Sequence, residues 1–285
     1  MSTATAAQDE ESLYSLPACG DGSGLVPGPT GGVLVALCGK KRGNVGKTVA
    51  NLLPDDNIVR HRVPLSEPGP MAVGPNGEIW AVRRLAKDPY PTRVFRIGPG
   101  GTRKSFSLSQ VEKAARPDSQ FLVRDMVVDG EGNAWVATAD LTSFAYVFDS
   151  YGGDIVRIAA DGSETAFPLP GGAEPENLTV GSEGDVWFTA EQGRHSAEHS
   201  GSPGEGLVGR VTPDGTFATF PTPEAGGGGG PKAIATSPSG ELWFIEPPLD
   251  RVGTIAPDGT FGPEHQIRFG VVGDGGFDGI QGGLA

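Results

Sequence analysis

One short pattern recurs four times along the chain and limits what it can fold into. Each copy consists of an apolar run, a turn that contains glycine, and a second run that contains tryptophan. The copies are Pro70–Trp80, Asp125–Trp135, Pro175–Phe188 and Lys232–Trp243. All four tryptophans of the chain lie in this pattern, each three residues after a glycine. Such a register predicts hairpins repeated along the chain.

Two further strand-like runs follow each copy. A third run carries an Arg-Ile, Arg-Val or Thr-Ile pair before a glycine turn, as in Val94–Ile97, Ile155–Ile158, Val208–Val211 and Val252–Ile255. A fourth run follows in three of the copies, at Ser105–Leu108, Thr165–Leu169 and Phe217–Phe220. An Asp-Gly pair between two such runs predicts a hairpin with a type I′ turn, which requires positive φ angles.

Four antiparallel strands that repeat roughly every 40–50 residues are typical of a β-propeller, an all-β fold of four-stranded blades. Five blades are predicted, and the first is a degraded copy with Val35 in the tryptophan position. Because a single blade cannot bury its own faces, we expect the tryptophans to lie in the core between blades. The predicted blades span roughly 18–65, 66–110, 122–170, 174–222 and 230–268.

The predicted organisation is a disordered tail at 1–12 and one propeller domain at 13–285. Residues 274–285 match the start of another repeat. We therefore expect an incomplete ring, with the chain a fragment of a longer protein, because a free blade edge invites aggregation.

Composition and charge narrow the classes of partner. A formal charge of −13 argues against nucleic acid, because phosphate repulsion is not compensated. Residues 1–12 are polar and acidic, so we expect no signal peptide, with loss of an export signal from a fragment as the alternative; no apolar run approaches membrane-spanning length. We expect a cytoplasmic monomer in which Cys19 and Cys38 are small buried residues that need no disulfide.

Long second turns place any binding site on one face of the predicted propeller. The residues that stand eleven positions before the tryptophans should together ring the mouth of the central channel. Glu67 and Glu174 each stand two residues before one of these positions. These positions hold Gly69, Arg124, Glu176 and Lys232, with Asp278 in the partial repeat. A polar rim of mixed charge suits a small-molecule ligand. A solvated rim without a ligand is the alternative.

A second candidate site lies in the longest predicted loop. His195 and His199 lie there, near Glu191 and Glu205. Two histidines with carboxylates can hold a metal or supply a base. A solvated loop rich in glycine and serine is the alternative interpretation.

The repeats also resemble a known family, the streptogramin B lyases or virginiamycin B lyases. The resemblance lies in Ala173–Thr189, Pro231–Glu246 and Gly209–Gly215 and covers most of residues 65–262. It implies a seven-bladed propeller that opens the ester ring of streptogramin B antibiotics by elimination. It also implies a divalent metal, usually Mg²⁺, that polarises an oxygen while a histidine takes the adjacent Cα proton.

The resemblance assigns roles to particular residues of this chain. Glu174 matches the carboxylate that binds the metal, and Glu191 and Glu246 are the further candidate metal ligands. The two histidines of the family pattern fall on Glu176 and Lys232. The substitute roles are then Glu176 or His195 as the base, and Lys232 or Arg124 as the group that stabilises developing negative charge.

Three functions therefore remain open from the sequence. The first is a metal-dependent lyase that acts on a cyclic depsipeptide. The second is a propeller without catalytic activity that binds a small molecule or a protein on its loop face. The third is a lactonase-like hydrolase, which would need a calcium-binding carboxylate cluster at the channel.

Overall fold

A computed structural model describes ten segments of the chain. These are residues 26–37, 48–54, 57–62, 67–84, 92–108, 111, 120–144, 147–192, 205–223 and 230–267. Some predictions lie outside the described residues, namely those for 1–12, Cys19, Cys38, His195, His199, Asp278 and 274–285. The division into tail and domain stays a prediction.

In the described residues, twenty strands form five four-stranded antiparallel sheets, which are arranged as the five blades of a β-propeller. The predicted all-β propeller is thus confirmed. Blade 1 contains β1 (Val26–Pro27), β2 (Val33–Leu37), β3 (Thr48–Leu52) and β4 (Ile58–Arg62). Blade 2 contains β5 (Glu67–Val73), β6 (Ile79–Arg84), β7 (Arg93–Ile97) and β8 (Arg103–Ser107).

The other three blades follow the same sequential order of strands. Blade 3 contains β9 (Gln120–Val128), β10 (Ala134–Phe144), β11 (Val147–Ile158) and β12 (Glu164–Pro168). Blade 4 contains β13 (Glu174–Val180), β14 (Val186–Gln192), β15 (Glu205–Val211) and β16 (Phe217–Pro221). Blade 5 contains β17 (Ala233–Thr236), β18 (Leu242–Glu246), β19 (Arg251–Ile255) and β20 (His265–Gln266).

Short 3₁₀ turns at Pro170–Gly172 and Pro247–Leu249 complete the described regular structure. Within the same segments, no helix has the length and apolar character needed to span a membrane.

The Asp-Gly hairpins form as predicted, but their turn type differs from the prediction. In the turn that follows β11, Gly162 N donates to Ala159 O and Ala159 N donates to Ser163 O, at 2.8 and 2.9 Å. Only the glycine has positive φ, at 98°. This is a type I turn followed by a bulge at glycine, rather than a type I′ turn. Asp161 favours it because its Oδ1 accepts from Ser163 N at 2.8 Å.

The core lies between blades, where the sequence places the tryptophans. Trp80 belongs to the cluster between blades 2 and 3, Trp135 to that between blades 3 and 4, and Trp187 to that between blades 4 and 5. Each stacks on a phenylalanine from the fourth strand of its own blade. Trp243 differs because it is half-buried and stacks on the exposed His265.

Arginines of the third strands join neighbouring blades. Arg96, Arg157 and Arg210 lie over the tryptophan rings of their own blades at 5.5–5.9 Å. Each donates from Nη1 to a turn carbonyl of the next blade, namely Ala160 O, Pro213 O and Pro257 O. A cation that both stacks and donates in this way holds adjacent blades in register.

Candidate functional site

The first strands of consecutive blades, β5, β9, β13 and β17, lie side by side and form the inner wall. A β-bulge interrupts three of them, β5, β9 and β13, at the same place in the repeat, and in β5 the register shifts between Pro68 and Met71, where Gly69 lies. Asp125 pairs with Ala137 but Val123 pairs with Thr138, so Arg124 is the extra residue of β9. Glu176 is the extra residue of β13 in the same way. Because a bulge redirects the side chain of its extra residue, these two positions can project differently from a regular alternation.

Blade 4 places two carboxylates directly across its first strand pair. Glu174 at the start of β13 pairs with Glu191 near the end of β14. Both residues are buried, with 4% exposure each. Like charges directly opposite in a sheet are destabilising, and buried carboxylates require cationic or hydrogen-bonding partners.

Arg124 of blade 3 supplies one of those partners. Its Nη2 donates to Glu174 Oε1 in a salt bridge between neighbouring blades. Burial alone would lower the pKa of Arg124, but the negative charges of Glu176, Glu174 and Glu191 outweigh burial and raise that pKa above its ordinary value. All three glutamates therefore lie close enough to stabilise one guanidinium.

Lys232 of blade 5 supplies the second partner. It directly precedes β17, and its backbone N donates to Ile245 O at 2.9 Å. Its Nζ lies 2.7 Å from Glu176 Oε1 and 3.3 Å from Glu191 Oε2. The ammonium group thus joins two carboxylates of blade 4. We call Arg124, Glu174, Glu176, Glu191 and Lys232 the charged cluster.

The remaining sequence candidates belong to other strands or lie outside the described residues. Glu246 ends β18 in blade 5, where it is buried and lies across the ladder from Arg251. Glu205 begins β15 and is exposed, and Glu67 begins β5. His195 lies outside the described segments, so its role as a base stays a prediction.

Sequence reasoning missed a set of hydrogen bonds directly beside the charged cluster. Asp125 Oδ2 accepts from Asn177 Nδ2 at 2.6 Å and from Leu178 N at 2.7 Å. Asn177 Oδ1 in turn accepts from Ile234 N at 2.8 Å. These bonds, which we call the inner-strand link, connect blades 3, 4 and 5. The repeat register contained the signal, because Asp125 and Asn177 both stand ten residues before a tryptophan.

Burial makes the Asp125 carboxyl a weaker acid than an exposed aspartate. It raises the pKa of this carboxyl from 3.8 to about 7, although hydrogen bonds from the backbone N–H groups of Leu178 and Met126 oppose the rise. The group therefore titrates near neutrality within the inner-strand link.

The residues of the charged cluster do not fit a divalent metal as they stand. Glu174 is bound by Arg124, and Glu176 and Glu191 are bound by Lys232. Across the described segments, no three His, Cys, Asp or Glu side chains are grouped so that they could hold a metal ion. The magnesium implied by the resemblance stays a prediction.

Comparison with known proteins supports the resemblance read from the repeats. Residues 146–268 match the virginiamycin B lyase family. The chain is similar to the virginiamycin B lyases. A curated relative, the virginiamycin B lyase of Nocardia farcinica (strain IFM 10152), is 27% identical over 197 residues, which cover 67% of this chain and 60% of that protein. The chain therefore matches less than two thirds of the length of this lyase.

Solved structures of lyases share the propeller fold. Virginiamycin B lyase from Staphylococcus aureus superposes with a TM-score of 0.58 at 22% identity, covering 85% of this chain and 69% of that one. A streptogramin B lyase superposes with a TM-score of 0.56 at 23% identity, covering 86% and 68%. At this level of identity the likeness to the solved lyases concerns the fold alone.

Proposed function

We propose that this propeller binds a small molecule rich in carbonyl or carboxylate oxygens at the charged cluster. The observation that carries the proposal is the difference in exposure within the ion pairs. The side chains of Arg124 and Lys232 are 30% and 33% exposed, whereas those of Glu174 and Glu191 are 6% and 2% exposed. The buried Glu174 and Glu191 hold the two cations, whose side chains stay about one third exposed.

Such a surface selects hydrogen-bond acceptors. Guanidinium and ammonium groups are donors without acceptor capacity, so they match the oxygens of esters, amides and carboxylates. A rigid arrangement of two cations, held by buried carboxylates, also loses little side-chain entropy when a ligand binds.

A cyclic depsipeptide is the first ligand to test, because its ring is lined with ester and amide carbonyls. The family match supports this choice. A catalytically inactive variant of the S. aureus virginiamycin B lyase, 22% identical to this chain, was crystallised with quinupristin. Quinupristin is therefore the probe for this chain.

Calorimetric titration of the purified protein with quinupristin tests the proposal. We expect saturable binding that weakens at least about tenfold in Arg124→Gln, since a charge-assisted hydrogen bond contributes about 1.5–3 kcal/mol. The matched control is Arg103→Gln, because Arg103 is exposed on β8 of blade 2. Absence of binding to the wild type, or equal loss in both variants, contradicts the proposal.

A second candidate is elimination at the same cluster, and the position of the family match favours it. The matched segment 146–268 contains four of the five cluster residues. In this scheme Glu176 takes the proton from the carbon beside the ester-bearing carbon. The C–O bond then breaks, a double bond forms, and the ester leaves as a carboxylate that Lys232 and Arg124 stabilise.

One incubation separates the three functions. Elimination gives a ring-opened isomer with the same mass as quinupristin and a changed chromatographic retention, whereas hydrolysis by a lactonase-like enzyme gives a product heavier by one water. A protein that binds quinupristin and returns it unchanged is a binding propeller. Liquid chromatography with mass detection distinguishes these outcomes directly.

A further inference from the structure

Protein cations occupy the positions around the three glutamates of the charged cluster. Lys232 Nζ lies between Glu176 Oε1 and Glu191 Oε2, at 2.7 and 3.3 Å, and Arg124 bonds Glu174. Oxygen-bound divalent cations sit about 2.0–2.6 Å from their ligands, so a metal and the Lys232 ammonium compete for the same place.

We infer that Lys232 replaces a divalent cation at this site, so that the cluster binds its ligand without a metal. The inference deepens the proposed function and rests on it for the nature of the site. It makes Lys232 the residue that decides between an ammonium-based site and a metal site.

Charge balance supports this assignment. The three carboxylates and two cations of the cluster sum to one negative charge. A divalent cation added beside them would meet two like charges within a few ångströms, in a partly buried setting where repulsion is weakly screened. Removing the Lys232 ammonium leaves two negative charges and vacates the space between Glu176 and Glu191.

A substitution of Lys232 should change the charged cluster without disturbing the strands of blade 5. Lys232 directly precedes β17, and its backbone N–H bonds to Ile245 O. A shorter side chain therefore changes the cluster without changing the strand pairing. The two carboxylates come from different strands of blade 4, and a third, Glu174, lies directly across the ladder from Glu191.

Mn²⁺ titration of the purified protein, followed by the electron paramagnetic resonance of the free ion, tests the inference without any organic ligand. Mn²⁺ takes the same oxygen ligands as Mg²⁺. We expect no saturable binding to the wild type at about millimolar Mn²⁺, the range of weak oxygen sites. We expect Lys232→Ala to bind at least about tenfold more tightly than the wild type, since it regains a site of two or three carboxylates.

Two further variants sharpen the result. Lys104→Ala removes an exposed lysine of β8 and should behave as the wild type. Lys232→Arg keeps a cation and should also bind no Mn²⁺. If Lys232→Ala does not fold, Lys232→Gln serves in its place, with unfolding curves to show that it is native.

Saturable Mn²⁺ binding to the wild type overturns the inference, and so does an affinity of Lys232→Ala, or of Lys232→Gln in its place, that equals that of Lys104→Ala. Because the titration contains no depsipeptide, its result is independent of quinupristin binding. Failure of the metal inference and failure of the proposed ligand are therefore observed separately.

Discussion

Replacing Asp125 by asparagine should make the stability of the propeller less dependent on pH. Asp125 accepts two hydrogen bonds across the blade interface, and burial raises its pKa to about 7. A carboxyl whose pKa is higher in the folded protein than in the unfolded chain holds its proton more tightly when folded. Its stabilising contribution is full below about pH 4 and is lost as the pH rises to about 7.

The magnitude follows from the difference between the two pKa values. A rise of about three pH units is worth about 4 kcal/mol at about 1.4 kcal/mol per unit. Asparagine keeps one oxygen to accept from Asn177 Nδ2 and Leu178 N and cannot ionise. Its amide nitrogen cannot accept the hydrogen bond that Met126 N gives the carboxylate, which costs about 1 kcal/mol at every pH.

The two stability curves should therefore diverge as the pH rises. By pH 5 the wild type has lost about 1.7 kcal/mol, because this pH lies about 1.2 units above 3.8, so Asp125→Asn should be more stable by less than about 1 kcal/mol. By pH 8 the wild type has lost about 4 kcal/mol, and the variant should be more stable by about 3 kcal/mol. Urea unfolding at pH 5, 6, 7 and 8 measures both curves. Asp161→Asn is the control, because hydrogen bonds from Ser163 lower the pKa of that exposed carboxyl, and its effect should not vary in this range. A pH-independent difference between the wild type and Asp125→Asn would refute the reasoning.

Three further substitutions test the packing of blades and cluster by urea unfolding. Arg157→Ala removes the cation over Trp135 and the 2.7 Å bond to Pro213 O, and should cost about 1–2 kcal/mol, against less than about 0.5 for the exposed Arg103→Ala. Gly209→Ala places a Cβ 2.3 Å from the Phe188 ring and should cost about 1–3 kcal/mol, whereas Gly100→Ala meets nothing within 4 Å. Glu191→Gln removes the negative charge that pairs with the Lys232 ammonium and should lower the stability by about 1–3 kcal/mol. In a Lys232→Met background the same substitution should cost much less, and equal costs in both backgrounds would show that the two residues are not coupled.

The strands and the blade core could be predicted because both follow from local pattern. Alternating apolar runs with glycine turns define each hairpin, and the tryptophan register shows which positions face the next blade. The prediction for the degraded first blade was wrong by one residue. Leu34, not Val35, stands three residues after the positive-φ Gly31, is fully buried and packs in the cluster between blades 1 and 2. The local sequence pattern was sufficient for the strand and core predictions because each blade repeats the same strand and turn pattern.

The partners within the charged cluster could not be read in the same way. Arg124 and Glu176 are extra residues of β-bulges, and a bulge leaves no mark in apolar periodicity. Which cation meets which carboxylate depends on the spacing between blades, since Arg124, Glu176 and Lys232 belong to three different sheets. The turn type was mistaken because Asp-Gly suits a type I turn with a glycine bulge as well as a type I′ turn.

The geometry of the cluster is tied to blade packing through the inner-strand link. Asp125 and Asn177 each follow a cluster residue directly, Arg124 and Glu176, and Ile234 lies two residues after Lys232. The hydrogen bonds that set the spacing of blades 3, 4 and 5 therefore also set the distances between the cations and the glutamates. A substitution that breaks the inner-strand link should therefore change the distances within the cluster through these backbone positions.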